Sequence, residues 1–155
     1  VIIILIACDK MYLRAGSFEP NSEYVKIVRE INYAYSLEAY PAVDSLLKRL
    51  FKGLIIDIFR CRYSTDNSKI PLFFCLKQGE FQSFDVLLDN FNTVLDEIDP
   101  DNASLYKRSI TRLRNWKKAA RRDEKQMKNN LDEARPEFEA GAEELGHLLQ
   151  QVKLS

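Results

Sequence analysis

Residues 31–63 read INYAYSLEAYPAVDSLLKRLFKGLIIDIFRCRY, and this stretch decides the fold that the sequence predicts. Two apolar patterns with helical spacing lie on either side of Pro41, a residue type that favours the first turn of a helix. They predict one helix over residues 22–37 and a second from Pro41 to Tyr63. Because only a few residues around Glu38 connect them, the two helices are expected to form an antiparallel hairpin.

The apolar side chains of this hairpin recur at three- and four-residue spacings, which is typical of helix faces turned toward a core. They are Val25, Val28, Ile31 and Tyr35 on the first helix, and Val43, Leu46, Leu47, Leu50, Leu54, Ile55, Ile58 and Phe59 on the second. Gly53 interrupts the second pattern and is predicted to permit the close approach of a neighbouring helix. Asp57 lies inside an apolar run, and we interpret it as one half of a salt bridge in preference to a catalytic group.

A loop over residues 64–79 and three further helices are predicted beyond the hairpin. The third helix spans residues 80–98, after which Asp99 and Pro100 are predicted to cap and open a long basic fourth helix. Pro136 is predicted to begin or kink the last helix. The predicted core positions are Phe81, Phe84, Leu87, Leu88, Phe91, Leu95 and Ile98, then Tyr106, Ile110, Leu113, Ala120 and Met127, then Phe138, Leu145, Leu148, Leu149 and Val152. The predicted fold class is all-α, a single-domain antiparallel bundle of about five helices.

The composition is that of a globular chain with balanced charge. Apolar residues make up 46% and aromatic residues 11% of the 155 residues, which is enough for a hydrophobic core and too much for a disordered chain. The 23 basic and 23 acidic residues cancel, so only the distribution of charge can indicate a partner. Three scattered cysteines and a single histidine argue against a zinc site, and no metal or cofactor is predicted. This cysteine usage is typical of the cytoplasm.

The first 20 residues are predicted to form a short apolar N-terminal extension, followed by the helical bundle over residues 21–155. The apolar run from Val1 to Cys8 is far shorter than the roughly 20 residues that cross a bilayer, so no transmembrane segment is predicted. A buried strand or docked segment is favoured, with the end of a lipoprotein signal as the alternative. Because the chain lacks an initial methionine, it is expected to be a piece of a longer protein.

One segment, residues 107–128, is strongly basic, with ten Lys and Arg against Asp123 and Glu124 alone. The candidate nucleic-acid-binding residues within it are Lys107, Arg114, Lys118, Arg121 and Lys125. A continuous helix is predicted over residues 107–131, and on it these five share one sector of the surface, since seven residues make almost two turns. Three interpretations stay open: neutralisation by the protein's own acidic run at residues 132–144, contact with the phosphates of RNA or DNA, or an acidic protein partner.

The hairpin sequence quoted above, the loop Ile70-Pro71-Leu72-Phe73-Phe74 and the phenylalanine-bearing third helix resemble prokaryotic HEPN domains. The resemblance covers about residues 24–150 and implies a small α bundle that forms a homodimer. Many HEPN domains are ribonucleases of toxin–antitoxin and other defence systems. The active ones carry an Arg, often followed by a polar residue, and then a His after about four to six residues, because the Arg stabilises phosphate charge while the His transfers protons.

The stretch Arg114-Asn115-Trp116-Lys117-Lys118-Ala119-Ala120-Arg121 matches that motif except at its end, where Arg121 stands in place of His. An arginine, with a pKa above about 12, cannot shuttle protons near neutral pH. His147 lies too far along the chain to complete the motif locally. The resemblance therefore implies a degenerate site in which Arg114 and Asn115 are a motif remnant and no catalytic residue is assigned.

The leading prediction is a catalytically degenerate HEPN-like interaction or RNA-binding module of a toxin–antitoxin or defence system, cytoplasmic and homodimeric. Its partner would be RNA or an acidic protein. The first alternative is an atypical HEPN ribonuclease, metal-independent, in which Arg114 and Arg121 clamp the phosphate and another group supplies the base. The second is a structural or protein-interaction helical fragment of a larger protein, which would not bind nucleic acid even at low salt.

Overall fold

Five helices make up most of the described chain, which in this computed structural model comprises residues 11–16, 18–119 and 123–154. They are α1 (Glu23–Ser36), α2 (Tyr40–Tyr63), α3 (Phe84–Ile98), α4 (Ala103–Ala119) and α5 (Glu124–Leu154). Between α2 and α3 lie a short 3-10 helix (Ile70–Leu72) and an antiparallel hairpin of two strands, β1 (Phe74–Cys75) and β2 (Glu80–Phe81). The predicted all-α bundle of five helices is confirmed.

Helix α2 is the centre of the bundle, since α1, α3 and α5 all pack against it. The inward side chains of α2 are fully buried, and they include Val43, Leu47, Leu50, Phe51, Leu54, Ile55, Ile58 and Phe59. Each such side chain contributes about 1.5–3 kcal/mol when it leaves water. The predicted hairpin of the first two helices is therefore present, and its apolar face forms the middle of the core.

Gly53 lets a tyrosine of α1 lie against α2. A Cβ at Gly53 would lie 3.4 Å from the ring of Tyr24. The Tyr24 hydroxyl donates to the Asp57 carboxylate, and its oxygen lies 3.1 Å from the Gly53 carbonyl oxygen. The other Asp57 oxygen lies 3.9 Å from the Arg60 guanidinium, so the salt bridge predicted for Asp57 is confirmed. Burial, together with the hydrogen bond to Asp57, raises the pKa of Tyr24 far above its ordinary value.

The segment before α1 docks onto the bundle through an asparagine. The N–H groups of Tyr12 and Leu13 donate to Oδ1 of Asn32 at 2.9 and 2.8 Å, and Nδ2 of Asn32 donates to the Leu13 carbonyl at 2.9 Å. The Tyr12 hydroxyl donates to the Leu131 carbonyl of α5, and both docked side chains are buried. The core thus extends into the predicted N-terminal extension, whose residues 1–10 lie outside the described residues.

Helix α3 begins later than the sequence predicted, at Phe84 rather than at residue 80. The side chain of Ser83 caps it by accepting a hydrogen bond from the N–H of Val86 at 3.4 Å. The two residues expected to start this helix, Glu80 and Phe81, form β2 instead. The strand pattern escaped detection because two-residue strands carry too few positions for a period to show.

The predicted start of the fourth helix is also wrong, and so is the first of the two alternatives predicted for Pro136. Asp99 ends α3, with its N–H donating to the Leu95 carbonyl at 2.9 Å, and residues 100–102 form a turn before α4 begins. Pro136 does not begin the last helix, because α5 starts at Glu124 and includes Pro136 in its interior. These errors moved helix boundaries along the chain and two predicted core positions with them. Phe81 is exposed on β2, and Met127 lies on α5, where it is partly buried.

Helix α1 is followed by Glu38 in the left-handed region, with φ of 59°. The N–H of Ala39 donates to the Ala34 carbonyl at 2.9 Å and that of Glu38 to the Tyr35 carbonyl at 3.0 Å, a terminating turn that favours glycine. We expect Glu38→Gly to raise the free energy of unfolding by about 0.5–1 kcal/mol, because glycine has no Cβ to strain at positive φ.

Urea denaturation of the unmodified chain and of Glu38→Gly measures this gain in the free energy of unfolding. The matched control is Glu30→Gly, an exposed position inside α1 where glycine should instead lower the free energy of unfolding by about 1 kcal/mol. Equal losses in both variants would contradict the strain assigned to Glu38.

Candidate nucleic-acid interface

Helix α4 carries most of the basic segment and contains no Asp or Glu along its 17 residues. Its inward side chains are buried, and they include Tyr106, Ser109, Ile110, Leu113 and Trp116. Its outermost side chains recur about once per turn and are exposed: Ser104, Arg108, Thr111 and Asn115. We call these four residues the outer ridge. The outer ridge is polar and carries a positive charge without a negative one.

Lys107 and Arg114 lie on the side of α4 that faces α3. The Nζ of Lys107 is 2.7 Å from Oδ2 of Asp96, and the guanidinium of Arg114 pairs with the carboxylate of Asp89. The two cations are seven residues apart on α4, and the two aspartates are seven residues apart on α3. Seven residues make almost two helical turns, so antiparallel packing of the two helices forms both ion pairs at once. Two of the five candidate cations therefore link α4 to α3.

The carboxylates that pair with the basic segment come partly from the acidic run that the sequence predicted and partly from α3. Oδ2 of Asp132 in that run lies 3.5 Å from Nζ of Lys128. The acidic run at residues 132–144 supplies Glu137, whose Oε1 lies 3.9 Å from Nε of Arg112. Lys107 and Arg114 pair instead with α3, whose aspartates the charge count overlooked. The sequence did contain a sign of this pairing. Two aspartates before the turn at residues 100–102 and two cations after it have the same seven-residue spacing.

These ion pairs leave the cations accessible. The side chains of Lys107, Arg112 and Arg114 keep 36%, 37% and 38% of their surface exposed. Exposed pairs of this kind contribute only about 0.2–1 kcal/mol each, since water screens both charges. A competing anion that contacts several cations at once can therefore displace the internal carboxylates at small cost.

The basic segment does not form one rod, so the prediction of a continuous helix over residues 107–131 is wrong. Helix α4 ends at Ala119 and α5 begins at Glu124. The carboxylate of Asp123 accepts a hydrogen bond from the N–H of Gln126 at 2.9 Å, which caps the start of α5. An aspartate followed by a new helical pattern was the available sign of this boundary.

The structure places the remaining candidate residues on different surfaces. Asn115 follows Arg114 in the motif remnant, yet it lines the cleft between α4 and α5, whereas Arg114 faces α3. Lys125 is exposed on α5. Arg121 lies outside the described residues, and so does the side chain of Lys118. Within the described part of the chain, the motif remnant therefore does not converge on one point.

A groove of about 320 Å³ lies between α4 and α5. It is lined by Arg112, Asn115, Trp116, Asn130, Glu133, Ala134 and Glu137. Trp116 is 6% exposed, its ring packs edge to face on Phe138 at 4.9 Å between centroids, and its indole nitrogen has no hydrogen-bond partner within the described chain. Sequence reasoning missed this groove, although residues 130, 133, 134 and 137 share the spacing of one helix face.

The titratable groups elsewhere in the described chain belong mostly to structural contacts. The Tyr35 hydroxyl donates to the Asp132 carboxylate at 2.5 Å, and burial with this hydrogen bond raises the pKa of Tyr35 to about 12. His147 is exposed on α5, with Nε2 4.0 Å from the Glu143 carboxylate. Among the described residues, no group of three His, Cys, Asp or Glu is placed to hold a metal ion.

Comparison with protein-family models, with curated protein sequences and with solved structures finds no match to this chain. No helix in the described ranges is long and apolar enough to cross a membrane.

Proposed function

We propose that this chain is a non-catalytic, HEPN-like interaction module that binds RNA through α4 and the start of α5. The observation that supports this most is the charge pattern of α4, which has no carboxylate of its own and exposes the outer ridge between two flanks of cations. The replacement of the motif histidine by Arg121 favours binding without cleavage, because arginine cannot transfer a proton near neutral pH.

The outer ridge suits a phosphate backbone. Arg108 supplies a charge, while Ser104 and Asn115 supply neutral donors of the kinds that commonly contact phosphate oxygens. Lys107 and Arg114 flank the outer ridge on the α3 side and Arg112 on the α5 side. RNA would compete with three carboxylates for these cations and would release its counterions as it does so.

Fluorescence anisotropy of a labelled single-stranded RNA tests this proposal with two matched double variants. Both variants, Lys107→Gln with Arg114→Gln and Asp89→Asn with Asp96→Asn, remove the same two ion pairs. The first should weaken RNA binding and lower the slope of log affinity against log salt by about 1.4, since each lost phosphate contact is worth about 0.7. The second should strengthen binding, because it removes two negative charges beside the site.

The two double variants should differ little in stability, because each exposed pair contributes only about 0.2–1 kcal/mol. Circular dichroism during urea denaturation checks that both are folded. A parallel loss of RNA affinity in both variants would mean that the ion pairs act through structure alone. The proposal fails if the unmodified chain does not bind RNA at low salt.

A structural or protein-interaction module is the second candidate, and the α3–α4 ion pairs favour it, since they account for the seven-residue spacing of Lys107 and Arg114 without any ligand. It predicts no RNA binding at any salt concentration.

The same samples test the alternative of an atypical ribonuclease. Cleavage of the labelled RNA by the unmodified chain, lost in Arg114→Ala, would establish that activity. Sedimentation at micromolar concentration tests the proposed homodimer, which should show the mass of two chains.

A further inference from the structure

We infer that the groove between α4 and α5 is a binding site for a guanine base. The inference rests on the proposed RNA-binding function, because RNA would supply the base. The choice of guanine rests on the residues that line the groove. The groove, defined above by its seven lining residues, opens on the same side of α4 as Asn115 of the outer ridge. A base turned away from a backbone bound along the outer ridge therefore meets the groove.

The acceptors of the groove come from α5. Glu133 and Glu137 lie four residues apart, so both project from one face of the helix toward α4. Glu137 is 3.9 Å from Arg112, whereas Glu133 is exposed and has no ion-pair partner in the described ranges. The Glu133 carboxylate, which only accepts hydrogen bonds when ionised, is thus available to a ligand that offers two adjacent N–H donors.

The donors of the groove come from α4 and lie opposite these acceptors. The Arg112 guanidinium and the Asn115 amide each line the groove and can donate to a carbonyl oxygen. Trp116 is the most buried lining residue, and its unpartnered indole N–H is a further donor. That nitrogen is covered in the structure, so an acceptor reaches it only by displacing the atoms above it.

Guanine is the base that fits this arrangement. Its Watson–Crick edge presents two neighbouring donors, N1–H and the N2 amino group, beside the O6 acceptor. A carboxylate matches the two donors in a bidentate contact, and arginine or asparagine matches O6. Uracil presents a single N–H between two carbonyls, while adenine and cytosine present one amino donor beside a ring acceptor, which a carboxylate would repel.

Calorimetric titration of the intact chain with GMP, AMP, CMP and UMP tests the inference, with the fluorescence of Trp116, the sole tryptophan, reporting where the ligand binds. GMP should bind at least about tenfold more tightly than the others, which is the discrimination given by one bidentate contact. Glu133→Gln should abolish this preference. The matched control Glu143→Gln, an exposed change about 15 Å further along α5, should leave it intact. Equal binding of the four nucleotides, or an unchanged preference in Glu133→Gln, would overturn the inference.

Two RNA oligonucleotides separate this inference from the proposed function. One consists of uridines, and the other is identical except for a central guanosine. Binding of both with equal affinity, together with weak GMP binding, leaves the RNA-binding function standing and rejects the guanine site. Failure of both oligonucleotides at low salt rejects the RNA-binding function. If GMP still binds in that case, the groove is a site for the free nucleotide. If GMP does not bind either, the groove is not a guanine site.

Discussion

Replacing Phe59 by alanine is expected to lower the free energy of unfolding by about 3–5 kcal/mol, because the large cavity left in the core cannot close. Phe59 is fully buried on α2. Its ring stacks on Phe73 at 5.5 Å between centroids, meets Phe91 edge to face at 5.8 Å and lies 6.2 Å from Tyr63. One side chain thus joins α2 to α3 and to the segment between them.

Urea denaturation followed by circular dichroism measures this loss. The matched control is Phe81→Ala, since Phe81 is exposed and its ring contacts Phe74 at 5.3 Å between centroids. The free energy of unfolding of that variant should fall by about 1 kcal/mol or less, which is the contribution of one aromatic pair. Similar losses in both variants would contradict the argument that the burial of Phe59 sets the size of its effect.

The helices could be predicted because their apolar spacing persists over several turns. The inward face of α2 follows from the recurrence of leucine, isoleucine and phenylalanine, and all five core positions named for the last helix are buried. One position predicted for the fourth helix belongs to another helix, and a second stays a prediction. Met127 lies on α5 and is only partly buried, and Ala120 falls outside the described residues.

The charged surface could be predicted much less well, since the partner of a charge depends on which helices are neighbours. Counting charges along residues 107–128 identified the basic segment correctly but treated it as one helix. The break at Asp123 and the pairing of Lys107 with Asp96 change which cations share a surface. The groove between α4 and α5 combines residues from two helices, and no local pattern contains both.

Contacts made by single polar side chains across the fold were also missed. Asn32 lies on α1 among residues that periodicity describes well, yet its importance comes from a segment about 20 residues earlier. A polar residue beside a predicted apolar face was the available signal. Its partner could not be named, because backbone N–H and C=O groups are present at every position.

Asn32→Ala is expected to lower the free energy of unfolding by about 2–3 kcal/mol, the second large effect that the structure predicts. The substitution removes the acceptor of two backbone N–H groups, those of Tyr12 and Leu13, and the donor to the Leu13 carbonyl. Because both side chains are 1% exposed, these backbone groups cannot turn to water while the side chains stay packed. The segment should therefore open locally before the bundle unfolds.

Hydrogen exchange at the amides of Tyr12 and Leu13 distinguishes this local opening from a general loss of stability. In Asn32→Ala these two amides should exchange faster by a larger factor than those at the centre of α2, whose exchange follows global unfolding. The matched control is Tyr33→Ala, the next position on α1, which is 68% exposed and should change neither measurement by more than about 0.5 kcal/mol. Unchanged exchange at Tyr12 and Leu13 in Asn32→Ala would show that the buried side chains alone hold the segment in place.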